Sequence, residues 1–359
     1  MVTISLCMIV KNEEDVIARC LDSIKDIVDE IIIVDTGSSD NTKEIVKEYT
    51  DNIFDFEWID DFSAARNYSF SKATKDFILW LDADDVILEK DREKFKQLKQ
   101  GLNHSVGVVM MKYNVGFDKH GNVTLSYFRE RLVNRINNCQ WQEPVHEYLE
   151  LKGNIIETDI CITHKKEHMS AEGRNLTIYE KAIASGKDLT PRGLYYYARE
   201  LFYNERYADA VKYFNKFLDT ERGWIEDNIN ACCILSICYD YIGDKKNILK
   251  TLLKSFEYDA PRPEPCCRIG DYYFNNGDYK TAISWYKIAL NLEKSTDGWG
   301  FIYHDYWGYI PCMQLCVCYD KLGNIEEAMK YNDKAAEYKP NDISVDHNKN
   351  YFKSILNSN

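Results

Sequence analysis

Residues 76–85 read DFILWLDADD, and the reading of this stretch decides the fold. The run Phe77-Ile78-Leu79-Trp80-Leu81 is wholly apolar, which predicts a buried strand. It ends in three carboxylates, Asp82, Asp84 and Asp85. Carboxylates at the carboxyl end of a parallel strand sit where open α/β sheets bind ligands. Asp82 and Asp84 alternate, so in an extended segment their side chains leave the same face. Two close carboxylates repel unless a positive group lies between them. A hard divalent cation with oxygen ligands, shared with substrate phosphates, meets that need. The stretch therefore predicts a metal–diphosphate site.

Working outward, Thr3–Val10 is a second buried-strand run, followed by Val16, Ile17, Cys20, Leu21 and Ile24 at helical spacing. Ile31–Val34 is another strand, ending in the turn-forming residues Asp35–Asp40. Asp40 or Ser39 is placed to cap a helix beginning near Thr42. A weaker strand near Ile53–Phe56 and a helix through Ala64–Ala73 precede the opening stretch. This alternation predicts a mostly parallel sheet with right-handed crossovers. Asp35 and Asp82–Asp84 then share one edge of the sheet. Asp35 there either accepts hydrogen bonds from a base or ribose or caps its own turn.

The chain of 359 residues is long enough for two cores. Its formal charge of −13 argues against nonspecific nucleic-acid or anionic-membrane binding, which needs basic patches. A metal can still supply the charge that a nucleotide diphosphate requires. Twelve cysteines include the adjacent pairs Cys232-Cys233 and Cys266-Cys267 and no zinc-site spacing, so they read as buried structural thiols. Lys11-Asn12-Glu13-Glu14 interrupts the apolar start, and no apolar run reaches the ~18 residues of a spanning helix. A cytoplasmic protein without a membrane span is the expectation.

Four segments occur in order: SLCMIVKNEE at 5–14, VDTGSSDNT at 34–42, FSAARN at 62–67 and LDADD at 81–85. Together they resemble glycosyltransferase family 2, whose catalytic domain has the GT-A fold, over roughly residues 3–180. The resemblance implies inverting transfer from a nucleotide-diphosphate sugar, with UDP the family habit. It places Asp35 at the nucleobase and Asp82 at the ribose or in the metal environment. It places Asp84 on Mn or Mg bridging the two phosphates, and Arg66, Lys11 and Glu13 among the donor-binding residues.

Residues 140–150 read QWQEPVHEYLE, and His164 closes the segment that follows. Inverting transfer needs a base within reach of the acceptor proton, and Glu143 and Glu147 are the candidates. Val145-His146-Glu147 resembles a VHE signature of a protein- and lipopolysaccharide-modifying branch of the family. The family order, base and then a late histidine that completes the metal shell, maps the base onto Glu147 and the histidine onto His164, with His146 the other possibility. Many relatives carry glycine where Glu143 stands, and a tyrosine-containing segment after the late histidine. Here Lys165-Lys166-Glu167-His168 follows instead. Trp141 is placed either to stack on a sugar or to pack in the core.

From about residue 175 helical patterns replace strands. A small residue recurs twelve positions before a helix-B position: Ala198 to Ala210, Ser236 to Ile248, Gly270 to Ala282, Cys316 to Ala328, the second repeat diverging with Ile248 where alanine is usual. The helix-B positions recur near the ~34-residue tetratricopeptide period, the last step being lengthened by a Trp/Tyr-rich insertion at Ser295–Gly308. A bulky aromatic such as Tyr273 is expected beside the small residues. The segments resemble tetratricopeptide repeats, with Pro340 where such a repeat ends. Trp299, Phe301, Tyr303, Tyr306 and Trp307 either line an acceptor groove or pack on the catalytic domain.

The expected fold is thus an α/β, Rossmann-like GT-A domain at 1–174 and an all-α repeat domain at 175–359. Repeat arrays offer grooves for extended peptides or for self-association. The leading reading is a metal-dependent glycosyltransferase acting on a Ser, Thr or Cys of a peptide or protein. Cys-modifying peptide glycosyltransferases have a similar layout. The alternatives are transfer to a surface polysaccharide or lipid-linked glycan, and a repeat scaffold carrying a degenerate transferase domain.

Overall fold

The computed structural model describes residues 1–166, 173–294 and 298–358. The chain divides into two compact units: residues 1–187 with 299–301, and residues 188–298 with 302–359.

In the first unit β1 (Ile4–Val10), β2 (Glu30–Asp35), β3 (Ile53–Asp55) and β4 (Phe77–Trp80) are parallel neighbours in the order β3-β2-β1-β4. The expected parallel sheet is this half. The strands β5 (Asp85–Ile87), β6 (Val106–Phe117) and β7 (Val123–Asn134) follow in sequence. A short hairpin, β8 (Trp141–Gln142) with β9 (Tyr148–Leu149), precedes β10 (Asn154–His164). The sheet continues from β4 as β7-β6-β10-β5, with β7 antiparallel to both neighbours and β10 antiparallel to β5. Strand order reverses between β1 and β4, which makes their carboxyl ends the ligand-binding edge.

Each face of the sheet buries a helix layer. Ile17, Cys20 and Leu21 of α1 (Ile17–Asp22) join Leu6 and Leu79 in one core. After the short α2 (Thr42–Val46), α3 (Phe62–Lys72) lays Phe70 on the other face against Ile78, Trp80 and Trp141. Phe95 of α4 (Glu89–Gly101) completes the first core. Helix α5 (Arg174–Ala184) groups with this unit, so the division falls at 187/188 and not after 174. It is held there because the Tyr179 hydroxyl donates to the Val145 carbonyl (3.3 Å) and Lys181 pairs with Asp60 (2.6 Å).

The second unit is a run of helix pairs: α6 (Pro191–Tyr203) with α7 (Tyr207–Leu218), α8 (Ile225–Tyr241) with α9 (Lys245–Lys254), α10 (Pro263–Asn275) with α11 (Tyr279–Asn291), α12 (Tyr309–Lys321) with α13 (Ile325–Tyr338), then α14 (Ile343–Ser358). The paired positions read from the sequence fall on successive helices and are all buried. Gly270 shows why a small residue is needed. A Cβ there would lie 2.5 Å from Cε1 of Tyr286, which is fully buried and donates its hydroxyl to Asp271 (2.5 Å). The aromatic filling this space is therefore Tyr286, while Tyr273 is only partly buried.

The insertion begins at Ser295–Asp297, outside the described residues, and is then spent on packing. Trp299 donates its indole N–H to Glu157 (2.8 Å), and Phe301 meets the Tyr127 ring edge-on at 4.8 Å. Tyr303 hydrogen-bonds Asn230 of α8, and Tyr306 lies beside Arg268 and Asp271 of α10. Eleven of the twelve cysteines are buried, and all are free thiols. Among the described residues no helix is long and apolar enough to cross a membrane.

Gly270→Ala gains about 1 kcal/mol of helix propensity, yet we expect a net loss of about 1–2 kcal/mol from overpacking against Tyr286. Thermal unfolding of the purified variant checks this, and a raised midpoint would show that the helices yield easily. Asp227 of α8 gives a pH prediction. It is 2% exposed with Oδ1 unbonded, and burial, opposed by Arg192 and Arg199, pushes its carboxyl up to about 6. A folded-state value raised above the unfolded ~3.9 stabilises fully below that value and loses its contribution as pH rises through about 6. Asp227→Asn should therefore flatten the fall in stability between pH 4 and 7, as read by urea denaturation across that range.

Candidate active site

The loops that carry the first two motifs are bonded to each other. The Asn12 N–H donates to Ser38 Oγ (3.0 Å), and Asn12 Oδ1 accepts from the Ser39 N–H (2.8 Å). The Glu13 N–H donates to Thr42 Oγ1 (2.8 Å), and Glu14 Oε2 accepts from the Asn41 N–H (3.0 Å). Asp40 accepts from both N–H and hydroxyl of Thr42 (3.0 and 2.6 Å) at the start of α2, whose N-cap position is Asn41 and not the expected Asp40 or Ser39. Of the two donor-site candidates here, Glu13 is engaged through its backbone and Lys11 is exposed.

Asp35 ends β2 fully buried. Its Oδ1 accepts the N–H groups of Gly37 and Ser38 (both 2.9 Å), a turn that Gly37 permits with φ 104°. Its Oδ2 is buried without a hydrogen-bond partner. A buried unpaired carboxylate oxygen costs free energy unless a donor reaches it, so Asp35 both builds its turn and holds one acceptor open.

The chain does not stay extended after β4. The Asp85 N–H bonds to the Asp82 carbonyl (3.0 Å), closing a turn, and the Asp82 N–H bonds to Asp85 Oδ2 (3.0 Å). Asp82 and Asp84 therefore do not act as a pair on one face; the turn sends the three carboxylates to three partners. Asp82 accepts from Arg66 Nη2 (2.7 Å). Burial alone would raise its carboxyl, but Arg66, with Arg131 and Arg129 beyond it, holds it down to about 2. Asp85 is buried against Arg131 (2.9 Å). Asp84 stays partly exposed, 3.2 Å from Nδ1 of His164.

Asp84, Asp85 and His164 offer ligand atoms within 4.8 Å of one another. This cluster exists because β5 and β10 pair antiparallel with His164 opposite Asp85. His164, and not His146, stands in it, and so does Asp85 in place of the expected Asp82. Two carboxylates and an imidazole suit Mn or Mg. Burial would lower the His164 imidazolium, but the bonds and charges of Asp84 and Asp85 overcome it and raise it to about 10.

Glu147 sits at the foot of the β8–β9 hairpin. Its Oε1 accepts from Arg66 Nε (2.6 Å), so one buried guanidinium holds both Asp82 and the candidate base. Arg66, expected among the donor-binding residues, is thus engaged by two protein carboxylates. Its plane lies 4.9 Å from the Trp80 ring and 5.0 Å from the Trp141 ring. Trp141 is 2% exposed and packs edge-on to Trp80, so it is core and not a sugar-stacking platform. The FSAARN segment clamps the hairpin elsewhere too. The Phe62 N–H donates to the Pro144 carbonyl (2.9 Å), and the Asn67 amide exchanges bonds with the Trp141 backbone (2.8 and 3.0 Å). Glu143 and His146 are left-handed, with φ 74° and 53°. That conformation is the physical reason a glycine suits position 143.

Sequence reasoning missed Asn67, Tyr113 and Arg131. An arginine set against the apolar Leu132-Val133 in a strand run was the available signal for Arg131. Tyr113 had none.

Residues 5–150 match the glycosyl transferase family 2 model, and residues 263–296 and 312–342 match the tetratricopeptide repeat model. A TPR repeat-containing protein of Synechococcus elongatus is 39% identical over 42% of this chain and 36% of its own length. The SPbeta prophage-derived glycosyltransferase SunS of Bacillus subtilis is 26% identical over 76% of this chain and 65% of its own. The lipopolysaccharide core biosynthesis glycosyltransferase LpsC of Rhizobium meliloti is 25% identical over 42% of this chain and 58% of its own. The chain thus spans less than two thirds of each of these relatives.

Arg66→Ala should lower the stability of the first unit by about 1–3 kcal/mol, because it removes the charged partner of two half-buried carboxylates. Arg66→Lys should recover only part, since one ammonium cannot bond both at the fork's geometry. Chemical denaturation followed by Trp fluorescence compares them, and near-wild-type stability of Arg66→Ala would refute the clamp.

Proposed function

We propose that this chain, a family 2 glycosyltransferase domain followed by tetratricopeptide repeats, is a metal-dependent inverting glycosyltransferase that moves a sugar from a UDP-sugar to a Ser, Thr or Cys side chain of a polypeptide. The observation that carries the reading is the bonded series Glu147–Arg66–Asp82, which ties the candidate base to the turn bearing the metal motif. A base in that position is held rigid next to the donor edge of the sheet.

Asp35 Oδ2 accepts an N–H of the nucleobase; the imide of uracil supplies one. Asp82, held ionised by Arg66, faces the ribose. Asp84 and His164 would hold a divalent cation, which would supply Lewis-acid stabilisation of the departing nucleoside diphosphate. Glu147 takes the acceptor's proton as the acceptor attacks the anomeric carbon from the side opposite the diphosphate. Arg66 keeps Glu147 oriented throughout.

The repeats are the proposed holder of the acceptor chain. Similarity to LpsC favours a second reading, transfer to a cell-surface glycan.

Glu147→Gln should cut turnover by ~10²–10⁴-fold while keeping the thermal shift produced by UDP with Mn. Asp35→Ala and Asp84→Ala should lose that shift, because a ligand that binds only the native state raises the melting temperature. Incubation of the protein with a panel of nucleotide sugars and either peptides or lipid-linked glycans, read by mass spectrometry, separates the two acceptors. Turnover unaffected by Glu147→Gln would remove it as the base. No shift with UDP, GDP or CMP plus Mn would favour the scaffold.

A further inference from the structure

In the second unit the first helices of successive pairs, α6, α8, α10 and α12, neighbour one another. Repeat arrays present extended surfaces of this kind to their partners. Here a segment of the same chain already lies on that face. His304–Trp307 is a single 3₁₀ turn, a geometry in which side chains three apart eclipse. Tyr303 and Tyr306 have that spacing, and their rings meet edge-on at 6.3 Å. Tyr303 lies beside Arg199 of α6 and Glu264 of α10, and it bonds Asn230 of α8, whose Oδ1 accepts from the Tyr195 hydroxyl (2.9 Å). Tyr306 lies beside Arg268 and Asp271 of α10 and packs on the apolar cluster that holds Cys267 and Leu315. Asp305, between the two tyrosines, pairs instead with Lys339 (2.5 Å). Two phenols are thus held by polar groups from three successive repeats. The fit is incomplete: Arg268 Nε and the indole N–H of Trp307 are buried without hydrogen-bond partners. A buried donor left unpaired costs stability that water restores, so lifting the segment off this face has a compensation that ordinary core packing lacks.

We propose that Tyr303 and Tyr306 are a built-in ligand of the repeat face, holding the place of a polypeptide partner that presents two aromatic side chains three residues apart and binds by displacing them. This rests on the reading that the repeats hold a polypeptide, and it names the chemistry of the segment they take. A segment tethered in the same chain competes at an effective concentration of about mM. Peptides without the paired rings are therefore turned away, and the face opens only to a chain that reproduces them.

The probe is a fluorescently labelled peptide IYHDYWG, the sequence of residues 302–308, titrated by anisotropy into the full chain. A variant combining Tyr303→Ala, Asp305→Lys and Tyr306→Ala removes both rings and sets like charge against Lys339, which frees the face. It should bind the peptide saturably, and wild type should bind it ~10-fold or more weakly because the tether competes. The same peptide with alanine in place of both tyrosines should bind neither. A folded variant that ignores the peptide overturns the proposal, as does equal binding by wild type. Hydrogen exchange of wild type covers a variant that does not fold: excess peptide should speed exchange at residues 302–307, and unchanged exchange overturns the proposal. Neither readout uses a sugar, a cation or an acceptor. Absent glycosyl transfer would therefore sink the transferase reading and leave this one standing, while failed peptide binding strikes only the occupancy of the repeat face.

Discussion

Three carboxylates within four residues, at the end of a strand buried on both faces, create a charge that the fold must answer. Each carboxylate is answered differently. Arg66 meets Asp82, Arg131 meets Asp85, and Asp84, with no arginine against it, lies beside His164. Both arginines press on the ring of Trp80, as does Arg129 at 4.7 Å. The quadrupole of that ring gives the guanidinium planes a favourable surface away from water. Leaving the buried Asp85 unpaired would cost several kcal/mol, and the turn, the two arginines and the tryptophan form one bonded unit.

The same constraint reaches the hairpin that carries Glu147. Arg66 is shared, so what neutralises Asp82 also orients the candidate base. Helix α3 adds bonds from Phe62 and Asn67 to the hairpin backbone, which carries two left-handed non-glycine residues, Glu143 and His146. Such backbone is uncommon and persists where surrounding contacts over-determine it. The repeat unit shows a simpler rule: one missing side chain at Gly270 makes room for one large ring, Tyr286.

Much of this was legible in the chain. The apolar run before Asp82, the small residues in Asp35–Asp40 and the twelve-residue pairing of compact positions each express a local preference, and each landed on the expected element. The sequence named Asp84, His164 and Glu147 as candidates, and Asp84 and His164 do come together, but their partnerships were not legible. Alternation predicted Asp82 and Asp84 side by side, and a backbone hydrogen bond across four residues bent the chain before that pattern could apply. Arg66 looked like a ligand residue because its two carboxylates lie 16 and 81 positions away. Trp141 looked available for stacking because burial is a property of the packed sheet, not of a residue type.

By itself the sequence determined where strands end, which helices pair, and which residues have the chemistry to hold a cation or take a proton, because these follow from local periodicity and side-chain type. Only the tertiary structure decided which carboxylate meets an arginine and which meets the histidine. That choice depends on β10 pairing with β5, on β7 bringing Arg131 beneath the turn, and on α3 laying Arg66 between two tryptophans. Charges are neutralised by whatever lies within a few ångströms, and proximity of that kind is set by the sheet and not by the chain order.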